Sequence, residues 1–490
     1  MNKQVNIASH EFKLFYLYAF LSLSSLLSGF YFEQKVLLAL PFAMPLSVWA
    51  IQNFKSLYFF LLAWIPLSIE FDVTDSLATD LPTEPLMAGF LLIALFYGLR
   101  HARRIDFSFF FNPVMFFLAL HLVWLTVATI FSTVPLFSMK FMLAKWWYVT
   151  AFLGVTALVI KNVEDVKRMF WAIFIPLTFT VLVALVRHAM VGFDFDLINP
   201  VLRPFYRNHV NYAAILVVFL PFVVYARTWY PKYSAKYNLL ILSVLVYIAG
   251  IYFSYTRACY LALVVMLVSY FIFRFHFAKF AVIAALIAAV FIGKFITDEN
   301  HYITYTPSTN TVSQHEFGDL IDATFKAEDV SSMERIYRWI AAIHMIGEKP
   351  FVGFGPNGFV ENYENYTVFI FETWISDNQE RSGVHNYFLM TAVEQGLIGL
   401  TIFLSLIISF FIWGEKVFHR QTGNTKMLAM AVLLSMMALF VNLLFSDMIE
   451  VDKTGSFFFI NMALLVLLHR NFNGLIPAEI GSKNKSTNSI

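Results

Sequence analysis

Polar chemistry in this chain is confined to a few short stretches set within long apolar blocks. His385 and Asn386 open the run His385-Asn386-Tyr387-Phe388-Leu389, which continues through Glu394 to Gly396 and Gly399. A histidine at the edge of an apolar block, with a carboxylate further inside, carries a desolvation cost that packing alone does not offset. Ser254-Tyr255-Thr256-Arg257-Ala258 holds Arg257 in a tight turn between two apolar blocks, and the segment from Asn199 to Asn211 gathers Arg203, Arg207, His209 and Asn211. Arg335 and Arg338 stand three apart, the spacing of one helix face. Arginine stays charged and grips phosphate oxygens bidentately. A histidine, titrating near neutrality, is suited to take a proton from a hydroxyl. These residue types together fit the displacement of a diphosphate leaving group by a hydroxyl.

The elements that must position them are membrane helices. Hydrophobic residues make up 59% of the 490 and charged ones only 13%, about half the usual charged share of a soluble chain. The apolar blocks reach the ~20 residues needed to cross a bilayer as helix. The expected class is therefore an all-α polytopic membrane protein with about 12–14 transmembrane helices. The blocks fall near 13–31, 36–51, 56–69, 86–99, 113–131, 141–160, 169–190, 209–227, 238–254, 258–273, 279–296, 386–412, 427–446 and 456–469. A net charge of +2 gives no footing for nucleic acid. Cys259 is the single cysteine, so no intrachain disulfide forms. No small-residue cleavage site follows the first block, which reads as a retained anchor.

Lys55, Arg100, Arg103, Arg104, Lys161, Lys167, Arg168, Lys416, Arg420 and Arg470 all fall in connections on one side, which the charge rule makes the inside, together with both termini. The acidic loop with Glu70, Asp72, Asp75, Asp80 and Glu84 then lies outside, as does the one large loop, 297–385. Within that loop Ser331 reads as a helix cap with Glu334 three positions on. The helix should run to about Ile346, burying Ile336, Ile340 and Ile343, with Arg335, Arg338 and Ala342 on a second face. Next comes Gly353-Phe354-Gly355-Pro356-Asn357-Gly358, whose glycines let backbone N–H groups approach a ligand. Tyr363, Tyr366, Phe369, Phe371 and Trp374 follow. Positions 385 and 389 share a helix face while 394 is rotated by roughly 180°, so Glu394 is expected to brace a neighbouring element rather than meet His385. No ligand spacing points to a metal, and no cofactor is expected. The polar tail from Gly481 to Ile490 reads as disordered.

Each group also has a bland reading. Arg257 fits a snorkelling anchor, although anchoring arginines favour the opposite side. Arg207 and Asn211 sit in a loop of ordinary interfacial polarity. Arg335 and Arg338 fit a solvated helix face, and His385 a hydrogen-bonded rim residue.

In order and spacing, three pieces resemble the O-antigen ligase and polymerase superfamily of bacterial envelope glycan transferases. Ser254 to Ala258 is similar to its Ser-x-Ser/Thr-Arg turn. Arg335 with Trp339, then Pro350-Phe351-Val352-Gly353-Phe354-Gly355, is similar to its Arg…Trp…Pro-x-x-Gly-x-Gly loop. His385-Asn386 with Glu394 and Gly396 is similar to its His-Asn…Glu-x-Gly re-entry, and Asn208 to Ala213 resembles an upstream Asn-x-x-Ala element. The resemblance spans roughly residues 200–405. It implies a GT-C-like, metal-independent, inverting transferase of the bacterial inner membrane acting on its outer, periplasmic face. The implied donor is a glycan on undecaprenyl diphosphate; the acceptor is lipid A-core, a polysaccharide or a protein, amid membrane lipids and without nucleic acid. Arg257 and Arg335 are implied to bind the diphosphate and His385 to activate or position the acceptor. Arg207, Asn211, Arg338 and Asn386 are the further substrate-binding candidates; Glu394, Gly353 and Gly355 are the structural ones. The expected organisation is N-terminal helices over 1–200, a catalytic core over 201–412, C-terminal helices over 413–470 and a cytoplasmic tail over 471–490. A transporter or flippase of lipid-linked sugar would instead line its spans with polar groups at several depths; the intramembrane exceptions noted here, His121 and Glu394, are few.

Overall fold

The computed structural model describes residues 2–32, 52–74, 77–297, 330–367 and 382–473, with four single positions between 32 and 52. The block at 36–51 therefore lies largely outside the described residues, as do Phe369, Phe371, Trp374 and the tail. Each remaining apolar block forms a helix. In chain order these are α1 (Asn2–Tyr31), α2 (Phe54–Trp64), α3 (Thr83–His101), α4 (Pro113–Ile130), α5 (Pro135–Val159), α6 (Val163–Met190), the short α7 (Ile198–Leu202), α8 (His209–Ala226), α9 (Ala235–Tyr252), α10 (Arg257–Arg274) and α11 (Ala278–Thr297). After them come α12 (Val330–Glu348), α13 (Gly358–Asn362), α14 (Tyr387–Arg420), α15 (Gly423–Leu443) and α16 (Asp452–His469). Among the described residues nine helices are long and apolar enough to cross a membrane. This is an all-α multi-pass membrane protein.

Side-chain caps explain where several helices start. Asn112, Asn162, Asn208 and Ser234 each accept a backbone N–H of the first turn of the helix that follows. Inside α5 the hydrogen bonding slips to a π turn over Val149–Gly154. The helices form layers: α8 and α15 are largely enclosed, whereas α3, α9 and α10 keep most of their apolar surface outward, as lipid-facing helices do. Helix α16 lies innermost. All its residues from Asp452 to Leu468 are buried, against α5, α8, α14 and α15.

The two ends of the bundle differ. One is tied by Lys55–Asp165 (2.5 Å), by Arg470–Asp106 and by Gln421 Nε2 donating to the Leu468 carbonyl (2.9 Å). The other gathers the turns at 203–209, 254–257, 382–386 and 444–452.

At this second end the structure departs from the expected loop at Glu70–Asp80. The block read as 56–69 ends as helix at Trp64, and Ile69–Thr74 pairs antiparallel with Leu77–Leu81 as hairpin β1–β2. Apolar and polar residues alternate through Ile69-Glu70-Phe71-Asp72-Val73-Thr74, the strand period that an acidic-loop reading overlooks. Beneath the hairpin, Lys453 donates to the carbonyls of Ile65 (3.2 Å) and Ser68 (3.0 Å), while Asp452 accepts from Ser68 (2.6 Å) and Thr83 (2.9 Å). Burial, then the nearby Asp452 carboxylate, pushes the Asp80 pKa up to about 7 from 3.8. A raised carboxyl pKa stabilises the fold at low pH and loses that contribution as pH rises to the folded value. Asp80→Asn is thus expected to melt like wild type near pH 3.8 and to gain an advantage that grows until about pH 7, read by thermal unfolding across pH.

Candidate functional site

The turn before α14 is held from every side. His385 takes a left-handed backbone (φ 57°), an uncommon conformation for a residue with a Cβ, costing about 1–3 kcal/mol. Asn386 Oδ1 accepts the N–H groups of Phe388 and Leu389, both at 3.0 Å, and so caps α14. The His385 backbone N–H donates to the Asp447 carboxylate, and its imidazole Nε2 lies 2.9 Å from Ser382 Oγ. Arg338 is buried, 2% exposed, with its guanidinium on the Ser382 carbonyl at 2.9 Å and over the Tyr363 ring at 5.1 Å. The buried face of α12 is therefore Tyr337, Arg338, Ile340, Ala341, Ala342 and Met345; Ile340 is inside as expected, Ile336 is half-buried, and Ile343, expected inside, is 40% exposed. A buried cation between carbonyls and an aromatic ring overrides the pattern that hydrophobicity alone predicts. The side chains of Ser331 and Glu334 lie outside the described residues.

The glycine loop and the re-entry helix form one unit. Helix α14 breaks at Gly396 (φ 69°, ψ 178°), which leaves backbone groups on both sides without helical partners. The loop supplies them. Phe354 N–H donates to the Val393 carbonyl and Gly355 N–H to that of Glu394, both at 2.9 Å, while Leu397 N–H donates to the Pro350 carbonyl at 2.7 Å. Trp124 Nε1 takes the Gln395 carbonyl at 2.8 Å. A Cβ on Gly396 would lie 2.1 Å from the Phe351 oxygen, and one on Gly353 (φ 76°) 2.4 Å from the Val393 oxygen. Gly355 packs on Ser132, and the buried Glu394 carboxylate accepts the N–H groups of Asn357 and Phe359 at the start of α13. The loop amides thus go to α14 and Glu394 rather than to an open ligand site.

The other arginines lie at the same end of the bundle. One helical turn before Arg338, Arg335 comes close enough to His209 for their charges to interact. The His209 carbonyl accepts the Thr256 hydroxyl at 3.4 Å, one residue before Arg257 at the start of α10. Tyr255, also left-handed (φ 55°), donates to the Phe193 carbonyl at 2.7 Å and pins that turn. Arg207 is exposed, 4.0 Å from Glu70 on the hairpin, and the Asn211 N–H serves the Asn208 cap.

Sequence reasoning missed three residues of this region. Asp447 holds the His385 N–H, and its Oδ1 is enclosed without a hydrogen-bond partner. Burial pushes its pKa up to about 6, against the opposing pull of His385 and Arg338. Glu450 Oε1 accepts from the Tyr387 hydroxyl at 3.0 Å and from Lys145 Nζ at 2.6 Å. The usable signals were the charged run Asp447-Met448-Ile449-Glu450 between two apolar blocks, and a lysine inside an apolar helix.

Residues 240–404, about a third of the chain, match the family described as O-antigen ligase. No curated protein matches the sequence. The matched stretch includes Arg257, Arg335, Arg338, the glycine loop and the His385 turn; Arg207, Lys145, Asp447 and Glu450 lie outside it.

Proposed function

We propose that this chain, whose residues 240–404 match the family described as O-antigen ligase, transfers a glycan from undecaprenyl diphosphate to an acceptor hydroxyl. The reaction takes place on the outer side of the bacterial inner membrane, with both termini cytoplasmic. The basic ends of the helices near Lys55, Lys161, Arg420 and Arg470, opposite the His385 turn, support that orientation.

The observation that carries the reading is the placement of α12. One helical turn joins Arg335, beside the His209–Arg257 corner, to Arg338, beneath the His385 turn. Arg335 and Arg257 hold the diphosphate. His385 takes the acceptor proton as the hydroxyl oxygen attacks the anomeric carbon from the face opposite the leaving group. The bond from that carbon to the diphosphate oxygen breaks, undecaprenyl diphosphate leaves with the electron pair, and the configuration inverts. Arginine donors supply the charge stabilisation, so no metal is required. Asp447 positions the His385 turn through its bond to the His385 N–H. Arg338 and Asn386, already engaged with the chain, act as positioning residues; Arg207 and Asn211 are assigned to the rim where the glycan lies.

Reconstituted protein given carrier-linked glycan and, separately, lipid A-core, further repeat units or a serine-containing peptide tests this. Release of undecaprenyl diphosphate with one acceptor identifies the activity as ligase, polymerase or protein-glycosylating. Arg335→Gln and Arg257→Gln are each expected to lower turnover about 10²–10³-fold. Undiminished turnover in both would remove the arginines from the diphosphate site.

A further inference from the structure

Lys145 lies in the apolar helix α5, four residues before its π turn, and only 4% of its side chain is exposed. A lysine ammonium so far inside a helical bundle is costly without a purpose. Its Nζ reaches Glu450 Oε1 at 2.6 Å and the Tyr387 hydroxyl at 3.3 Å, and the Tyr387 hydroxyl itself donates to Glu450 at 3.0 Å. The three groups come from α5, α14 and the short link between α15 and α16.

Two connections run from this triangle to His385. Tyr387 stands two residues after it, so fixing the Tyr387 hydroxyl anchors the α14 side of the turn. Glu450 stands three residues after Asp447 on the short helical turn Met448–Glu450, so Lys145 also anchors the segment whose carboxylate takes the His385 N–H. Charge is the second thread. Asp447 is faced by His385 from its own turn, by Arg338 from α12 and by Glu450 from its own segment, and Glu394 of α14 feels both Asp447 and Glu450. Glu394, Asp447 and Glu450 are thus set against two basic neighbours, Arg338 and Lys145.

We infer that the Lys145–Glu450 ion pair is a positioning device for the proposed transfer reaction: it fixes the His385 turn through Tyr387 and Asp447 and sets the local charge against which His385 takes up its proton. The inference rests on the reading of His385 as the proton acceptor.

The test is chosen to report on His385 whether or not transfer is the activity. Diethyl pyrocarbonate modifies neutral imidazole, and mass spectrometry of the purified full chain in detergent gives the His385 modification rate against pH. Lys145→Met removes a positive charge and is expected to move the midpoint of that profile up by on the order of one pH unit; Glu450→Gln is expected to move it down, and Lys145→Met with Glu450→Gln to return it toward wild type. In transfer assays each single variant lowers kcat with the KM for the donor little changed. Where Lys145→Met alone fails to fold, Glu450→Gln and the double variant still decide, because the double variant leaves no buried unpaired charge. A midpoint unmoved in whichever single variant folds overturns the inference. Normal transfer by His385→Ala, with the midpoints moving as expected, would overturn the catalytic reading while leaving the electrostatic link in place.

Discussion

His385→Ala is expected to leave cells with an undrained pool of glycan on undecaprenyl diphosphate. Complementing cells that lack the native gene with wild type should clear that pool; the variant should not. Loss of a well-placed general base lowers a rate by about 10²–10⁴-fold, far beyond what modest differences in expression produce. The form of the stalled pool carries further information: long chains mark a ligase, single repeats a polymerase. The left-handed backbone at His385 makes the comparison more exacting. Alanine tolerates that conformation no better than histidine, so the cap at Asn386, the Arg338 grip and the Asp447 bond continue to hold the turn, and the deficit reports the imidazole. Equal clearance at matched expression would remove His385 from the chemistry.

Gly396→Ala is expected to be strongly destabilising for a change of one methyl group. The new Cβ would sit 2.1 Å from the Phe351 oxygen in a backbone with φ 69°, and relieving the clash means separating the loop from α14. Strain together with loss of the Phe354, Gly355 and Leu397 hydrogen bonds amounts to roughly 3–5 kcal/mol. Gly347→Ala, on a helical glycine with nothing within 4 Å of the added carbon, should be neutral or stabilising by about 0.5–1 kcal/mol. Thermal unfolding in detergent distinguishes the two; similar melting temperatures would mean that the loop and α14 are not locked together. The loss of activity in Gly396→Ala should track the fraction unfolded, unlike that in His385→Ala.

How much of this was legible in the sequence depended on the range of the signal. Apolar blocks long enough to cross a bilayer located the helices, because that signal is local and summed over many residues. The hairpin at Ile69–Leu81 went unread because its alternation is short and its charges drew the reading toward a loop. The inward face of α12 was read only in part: Ile340 is buried as periodicity places it, yet Arg338 finds carbonyls and a ring there while Ile343 turns outward. Lys145 was averaged away among the apolar residues around it. Asp447 and Glu450 meet His385 only through the fold, and no spacing rule connects a turn to a partner that many helical residues separate from it. The resemblance pointed to Arg257, Arg335 and His385 but gave no sign of Lys145, Asp447 and Glu450, which lie outside the matched stretch.

Helix α16 meets almost no lipid. Buried from Asp452 to Leu468, it follows in the chain every helix that encloses it. Those helices must therefore leave the membrane insertion machinery with a helix-sized slot between them, filled for a time by acyl chains that α16 then displaces. Asp452 and Lys453 meet their partners Ser68 and Thr83 only at that moment. Assembly of this protein thus has a closing step, in which the seating of one helix joins the earliest-made part of the bundle to the latest and, through the adjoining Asp447–Glu450 turn, completes the support beneath His385. A chain that stalls before that step would be inserted but not yet competent, and the cell's quality control would meet it with its core open to lipid.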